Sequence, residues 1–330
     1  MAKGIIELNS GIEAAASVVG RNEFQGPLGS LFDMHDDSDR FDTDTWEKAE
    51  SEMQRRAFGL AMKKAGVKEK DIGALFAGDL LNQCVASSYG LLEYNIPFLG
   101  LYGACSTSVE GLLLASVYHS AGHAEKTAVV VSSHYCSAER QYRSPVEYGA
   151  QRTPTAQWTV TGAGAFVVGD GGKAKIRAAM PGIVVEKGIN DAANMGAAMA
   201  PAALDTLKRF FAESGTKPKD YDLIVTGDLG YEGGAILCDL MLADGYDIRN
   251  NYTDCGMLIY SKSEQDKHAG GSGCGCAATV TAAYLLPKIE SGELSNILLM
   301  ATGAMMSPMS IMQGESIPAV AHLINIRTAR

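Results

Sequence analysis

Ala74-Leu-Phe-Ala-Gly78-Asp79-Leu80 returns as Leu223-Ile-Val-Thr-Gly227-Asp228-Leu229, 149 residues further on. Each copy is a short apolar run that stops at a glycine, the pattern of a strand buried on both faces. The duplication continues outward. Cys105 and Cys274 each follow a glycine turn, and the apolar runs opening at Ala128 and Ile297 come after them; both pairs lie 169 apart. The growth of the offset from 149 to 169 assigns an extra piece to the second copy, at about residues 246–263. Two similar α–β–α–β–turn–α–β units are therefore expected, over 1–172 and 173–330. Alternating strands and helices predict mostly parallel sheets covered by helices. In such a fold the ligand sits where the strand ends of the two halves meet.

The patterning fills in the remaining elements. Helices are predicted over 44–65, with Asp44 and Glu47 as a capping box, over 82–93, and from Thr107 to about 120. In the second half they are predicted over 201–214, with Pro201 in the first position, over 234–243, and from about 277. Strands are predicted over 72–77, 98–102, 128–132, 223–226, 257–260 and 297–301. Residues 1–42 read as mixed, broken by Gly20, Gly26, Pro27 and Gly29. Six aspartates crowd Asp33–Asp44 without the D-x-D-x-D-G order of a calcium loop, so a solvated acidic loop is expected.

Composition bounds the function. Hydrophobic residues are 46% and charged residues 20% of 330, enough for a large core in a soluble chain. The net charge of −10 argues against a nucleic-acid surface or a polybasic anchor. There is no run of 18 apolar residues and no signal-peptide pattern at the N-terminus. Seven cysteines, irregularly spaced, do not make a disulfide scaffold and read as reduced thiols. His119 and His123 have zinc-ligand spacing but no third ligand, and read as a polar helix face. Gly162-Ala-Gly164 and Gly169-Asp-Gly-Gly172 flank a strand instead of opening a helix, so they form no dinucleotide fingerprint.

One cysteine stands apart. Gly103-Ala-Cys105-Ser-Thr-Ser108 places Cys105 between a strand and a helix, where unpaired N–H groups and the positive helix end favour a thiolate. On spacing alone, Cys105 reads either as such a nucleophile or as a buried structural cysteine.

This turn resembles the nucleophile turn of the thiolase superfamily, which includes the thiolases and β-ketoacyl synthases. The resemblance implies a duplicated thiolase-like α/β fold with five layers, α-β-α-β-α, and Cys105 at the opening of the first half's central helix. Ala163-Gly-Ala-Phe-Val-Val-Gly169 is similar to the strand closing the first half. Ala301-Thr-Gly303-Ala304 is similar to the glycine turn that helps form the oxyanion hole. Ala77–Gln83, Ala138-Glu-Arg-Gln141, Thr159–Gly164, Met199–Ala203, Asp222–Leu229 and Gly270–Cys274 together look like a sporulation family within that superfamily. Members of that family are encoded with membrane proteins that move dipicolinic acid, pyridine-2,6-dicarboxylate, into the developing spore. The resemblance thus implies a non-catalytic binding protein for that ligand, a homodimer, and a location peripheral to the spore inner membrane beside the membrane proteins of its operon.

The catalytic pattern is incomplete. Claisen chemistry needs a base beside the thiol and a second donor for the enolate. Gly227 stands where the synthase pattern V-P-H-Q-A-N has its histidine, and Asp228 beside it would oppose a carbanion. His268-Ala-Gly-Gly271 approximates H-P-x-G without the proline, so His268 reads either as a retained catalytic group or as a surface histidine. For a dicarboxylate, His134 and Arg140 are the first candidates, with Arg143 and Arg152 weaker; each arginine alone is more often a surface residue, and their clustering favours a site. Asp228 and Asp254 are candidates to hold calcium with the ligand or to cap backbone groups. Cys105 and Gly303 complete the expected site, and Asn82 is expected at a dimer interface. The competing readings are an acyltransferase of the β-ketoacyl synthase III type, using Cys105, and a scaffold with a vestigial pocket.

Overall fold

Both copies of the repeated heptapeptide are strands at the same place in two like half-sheets. A computed structural model describes residues 4–142 and 152–329. Its strands are β1 (Ile6–Gly20), β2 (Met34–Asp36), β3 (Ala74–Gly78), β4 (Phe98–Leu101), β5 (Thr127–Ser133), β6 (Trp158–Thr159) and β7 (Gly162–Gly169). They continue with β8 (Ala174–Met180), β9 (Leu223–Thr226), β10 (Tyr252–Asp254), β11 (Gly271–Ser272), β12 (Asn296–Ala304) and β13 (Ala319–Thr328). One half-sheet runs β4-β3-β5-β7-β1 and the other β10-β9-β12-β13-β8. β3 pairs in parallel with β4 and β5, just as β9 does with β10 and β12. β1 and β8 then join the halves in antiparallel register. The strands nearest the junction, β7 and β1 in one half and β13 and β8 in the other, are antiparallel, so the sheets are mixed, not mostly parallel as expected. An antiparallel return needs no crossover helix, and the alternation of helices and strands carries no signal of it.

Side-chain alternation explains the layering. In β3, Ala74 and Phe76 enter a central core while Leu75 and Ala77 enter an outer one. In β12, Ile297, Leu299 and Ala301 face the central core, and Leu298 and Met300 the opposite outer one. Both faces are buried, and each such large side chain contributes roughly 2 kcal/mol by leaving water. The helix Trp46–Ala65 covers the first sheet and the helices Met195–Ser214 and Gly230–Ala243 the second. The helix Thr107–Ser120 lies between the sheets and touches strands of both, with Cys274–Val280 beside it. This is the five-layer α-β-α-β-α arrangement.

Several local expectations are corrected. β1, fifteen residues long, runs through the segment read as irregular; its glycines, alanines and serines hide the period of two. Thr45, not Asp44, caps the first long helix, accepting from Lys48 N. The helix around Pro201 opens at Met195 under Asn194, so Pro201 lies inside it. Residues 257–260 are not a strand: Asp254 caps a short helix, Cys255–Ile259, and the strand is β10. The extra piece moves accordingly. Phe98 pairs with Leu75 and Tyr252 with Ile224, so most of the insertion follows β10, between Asp254 and Cys274.

Candidate functional site

The turn before the helix Thr107–Ser120 is strained at Ala104, which has φ +52°, while Gly103 has φ −93°. L-residues rarely adopt the first value, and such strain concentrates at functional turns. The turn is held locally: Ser106 Oγ donates to Gly103 O at 2.6 Å, and Thr107 Oγ1 donates to Ala104 O at 2.7 Å. Gly303 packs against it from β12. A Cβ there would lie 2.4 Å from Gly103 O, so glycine is required for close approach of strand and turn. Gly303 stands in a strand, not in a turn.

Cys105 Sγ lies 4.0 Å from Ser272 Oγ, which the short pairing of β11 with β6 brings beside it. Behind Ser272 sits the buried Asp228. Its Oδ2 accepts from Ser272 Oγ at 3.2 Å and Gly273 N at 3.0 Å, and its Oδ1 from Thr302 Oγ1 at 2.9 Å. Burial pushes this carboxyl up to about 6. Burial, and then the Asp228 charge, push the Cys105 thiol well above its ordinary value. Of the two readings open for Cys105, this environment favours the buried thiol: the helix end is outweighed by desolvation and a like charge. Gly227 is tightly packed: a Cβ would stand 3.1 Å from both Ala277 Cβ and Ala301 Cα, so a histidine there requires these neighbours to give by a few tenths of an ångström.

Cys105 opens into a cavity of about 830 Å³. One wall is apolar, made of Met305, Met306, Met309, Ile311 and Met312. The other is polar and comes from three places. The helix Tyr135–Tyr142 presents Ala138, Gln141 and Tyr142. The segment after β3 brings Asn82, whose Oδ1 accepts from Tyr102 Oη and Gln141 Nε2, both at 3.2 Å. The run before β6 brings Arg152 and Gln157. Arg152 lies over the Trp158 ring, 4.3 Å from its centroid, and Nη2 donates to Asp266 O. Its Nη1 is buried without a hydrogen-bond partner among the described residues.

Of the expected ligand residues, the structure brings Cys105 and the weaker candidate Arg152 to the cavity, with Asp228 and Gly303 directly behind Cys105. The others are elsewhere. His134 is buried and bonds to Asp39 O at 2.8 Å; burial lowers its pKa. Arg140 pairs with Glu47 on the surface at 3.1 Å. A helix starts at Tyr135, so Arg140 points away from the face that Ala138, Gln141 and Tyr142 present. His268 bonds to Thr153 O and pairs with Asp266. Asp254 is committed to Thr226 Oγ1 and to the N–H groups of Leu229, Gly230 and Met257; burial pushes it up to about 7. Both aspartates cap chain donors, and no group of three metal-ligating side chains occurs among the described residues. Arg143 lies outside the described residues. Asn82 lines the cavity wall. Gln157, Tyr102 and Tyr142 escaped the sequence reading; a helical wheel over 135–142 would have shown Tyr142 and Gln141 on one face.

The fold is that of the thiolase-like condensing enzymes. It is similar to 3-oxoacyl-[acyl-carrier-protein] synthase III from Aquifex aeolicus, with a TM-score of 0.58 and 12% identity over 96% of this chain and 99% of that one. It is also similar to OleA from Xanthomonas campestris, at 0.61 and 14% over 99% of both chains. Within that class, residues 4–327 match the family model of stage V sporulation protein AD, and the chain belongs to this family. It is 43% identical to stage V sporulation protein AD of Bacillus subtilis over 94% of this chain and 92% of that protein. No helix among the described residues is long and apolar enough to cross a membrane.

Proposed function

We propose that the cavity at Cys105 binds pyridine-2,6-dicarboxylate, dipicolinic acid, and that the chain serves its uptake into the developing spore without catalysing a condensation. The observation that carries this reading is the pairing of a disabled nucleophile with an unsatisfied cation. Cys105 is held as a thiol beside a carboxylate, with no histidine at 227, while Arg152 on the cavity wall has a buried Nη1 without a hydrogen-bond partner among the described residues. A guanidinium fork matches a carboxylate, and Asn82, Gln141 and the two tyrosines supply further polar groups. Calcium, where it takes part, enters as the ligand's chelate, since Asp228 and Asp254 spend their oxygens on the chain. A peripheral place at the spore inner membrane, through the membrane proteins of the same operon, belongs to this proposal. Titration calorimetry with dipicolinate, with and without calcium, tests it: saturable binding by the wild-type chain is expected, and no binding in either condition overturns it.

The apolar methionine wall supports a second reading, acyl transfer through Cys105 in the manner of a β-ketoacyl synthase III. Incubation with acyl-CoA and intact mass measurement separates the two. A stable acyl adduct on Cys105 favours the enzyme, and an unmodified chain favours the binding protein.

A further inference from the structure

Gln157 is 7% exposed and lines the cavity. Its Nε2 donates to Asp228 O at 2.7 Å and to Gly271 O at 3.0 Å. Both partners are carbonyls, so the amide cannot be turned round: an oxygen in that place would face two acceptors. The orientation leaves Oε1 as the other end of the amide, and that atom is buried with no hydrogen-bond partner among the described residues. A buried acceptor left unmade costs free energy, and native proteins leave few of them. Arg152 Nη1, on the same wall, is the complementary case, a buried donor without an acceptor.

We propose that Gln157 Oε1 is a specificity-determining acceptor, and that the cavity selects an aromatic carboxylate that also carries an O–H or N–H donor. Arg152 Nη1 takes the ligand's carboxylate and Gln157 Oε1 takes its donor. For a pyridine dicarboxylate without calcium the form that fits is the monoanion, which keeps one proton on a carboxyl group or on the ring nitrogen. A fully ionised dianion offers Gln157 no donor, and it brings two charges toward the buried Asp228 behind Ser272. The inference rests on the dipicolinate reading of this cavity.

Two small probes test it on the whole chain at one fixed pH. 6-(Hydroxymethyl)pyridine-2-carboxylate carries a carboxylate and a hydroxyl donor, and 6-ethylpyridine-2-carboxylate has the same shape without the donor. Calorimetry is expected to show the hydroxymethyl compound binding about tenfold tighter, because a site built around a buried polar atom rejects the analogue that leaves it unpaired. In Gln157→Met the preference is expected to vanish; should that variant fail to fold, the wild-type comparison decides alone. Equal binding of the two probes, or tighter binding of the more apolar ethyl compound, overturns the inference while dipicolinate binding stands. If none of the three compounds binds, the cavity reading itself falls and this inference with it.

Discussion

At the scale of single residues, the chain keeps a cysteine at a nucleophile's position and surrounds it with groups that disfavour its thiolate. Cys105 occupies a strained elbow at a helix start, the arrangement that ordinarily lowers a thiol pKa, yet burial and the Asp228 carboxylate reverse the effect. Alkylation of Cys105 by iodoacetamide at pH 8, followed by peptide mass spectrometry, is expected to run at least about tenfold slower than that of an unperturbed cysteine; a rate equal to or above it would contradict this electrostatic account. Asp228 is one of five buried carboxyls among the described residues. Burial raises Asp228 to about 6, Glu23 and Asp254 to about 7, and Glu50 to about 8, and it also raises the Asp79 carboxyl. Each folded-state value exceeds its unfolded one, so the folded chain holds these protons more tightly. That stabilisation is complete at low pH and is lost as pH rises through about 6 to 8. Melting temperature is therefore expected to fall between pH 5.5 and 8.5, and Glu50→Gln to flatten the fall. A melting temperature constant or rising over that window would count against it.

At the scale of elements, the site depends on close approach between backbone segments. Gly303 of β12 meets the Cys105 turn, and a methyl group there would collide with Gly103 O. Gly303→Ala is expected to cost about 2 kcal/mol or more, read by urea unfolding, because backbone cannot yield as a flexible side chain would; an unchanged midpoint would show that the contact is slack. The strands flanking this contact were legible in sequence because buried strands are written as uninterrupted apolar runs closed by glycine. The helices ending at Ala65 and Ser214 were legible for a related reason, their αL glycines at 66 and 215. β1 was hidden by its small residues, and the helix Tyr135–Tyr142 by its polar content. Missing that helix turned the choice of cation toward Arg140. With the helix in place, Arg140 moves to the surface, and Gln141 and Tyr142 move to the cavity. Arg152 ranked below Arg140 in the sequence, since its importance lies in an absence of partners that only three-dimensional packing creates.

At the scale of the molecule, the duplication accounts for the fold and for the place of the cavity. The offset arithmetic needed only residue identities, so two like halves were visible without any structure. The location of the insertion was not, because strand register decides it. The edge strand β4 carries a further consequence. Phe98 and Leu99 are 42% and 39% exposed on it, and Tyr89 and Leu92 are each 73% exposed. An apolar edge of this kind is a template for pairing with another strand, and we propose that a second copy of the chain covers it. Light scattering is expected to give twice the chain mass for the wild type and the chain mass for Leu99→Lys; a monomeric wild type would overturn the dimer.

The central claim is that this thiolase-like cavity recognises a carboxylate through Arg152 and does not turn over an acyl group. Titration calorimetry of dipicolinate into the wild-type chain and Arg152→Ala tests it most directly. The account predicts saturable binding that weakens about tenfold or more when the charge-assisted contact is removed. Equal affinity in the two proteins, or no binding to either, would contradict it.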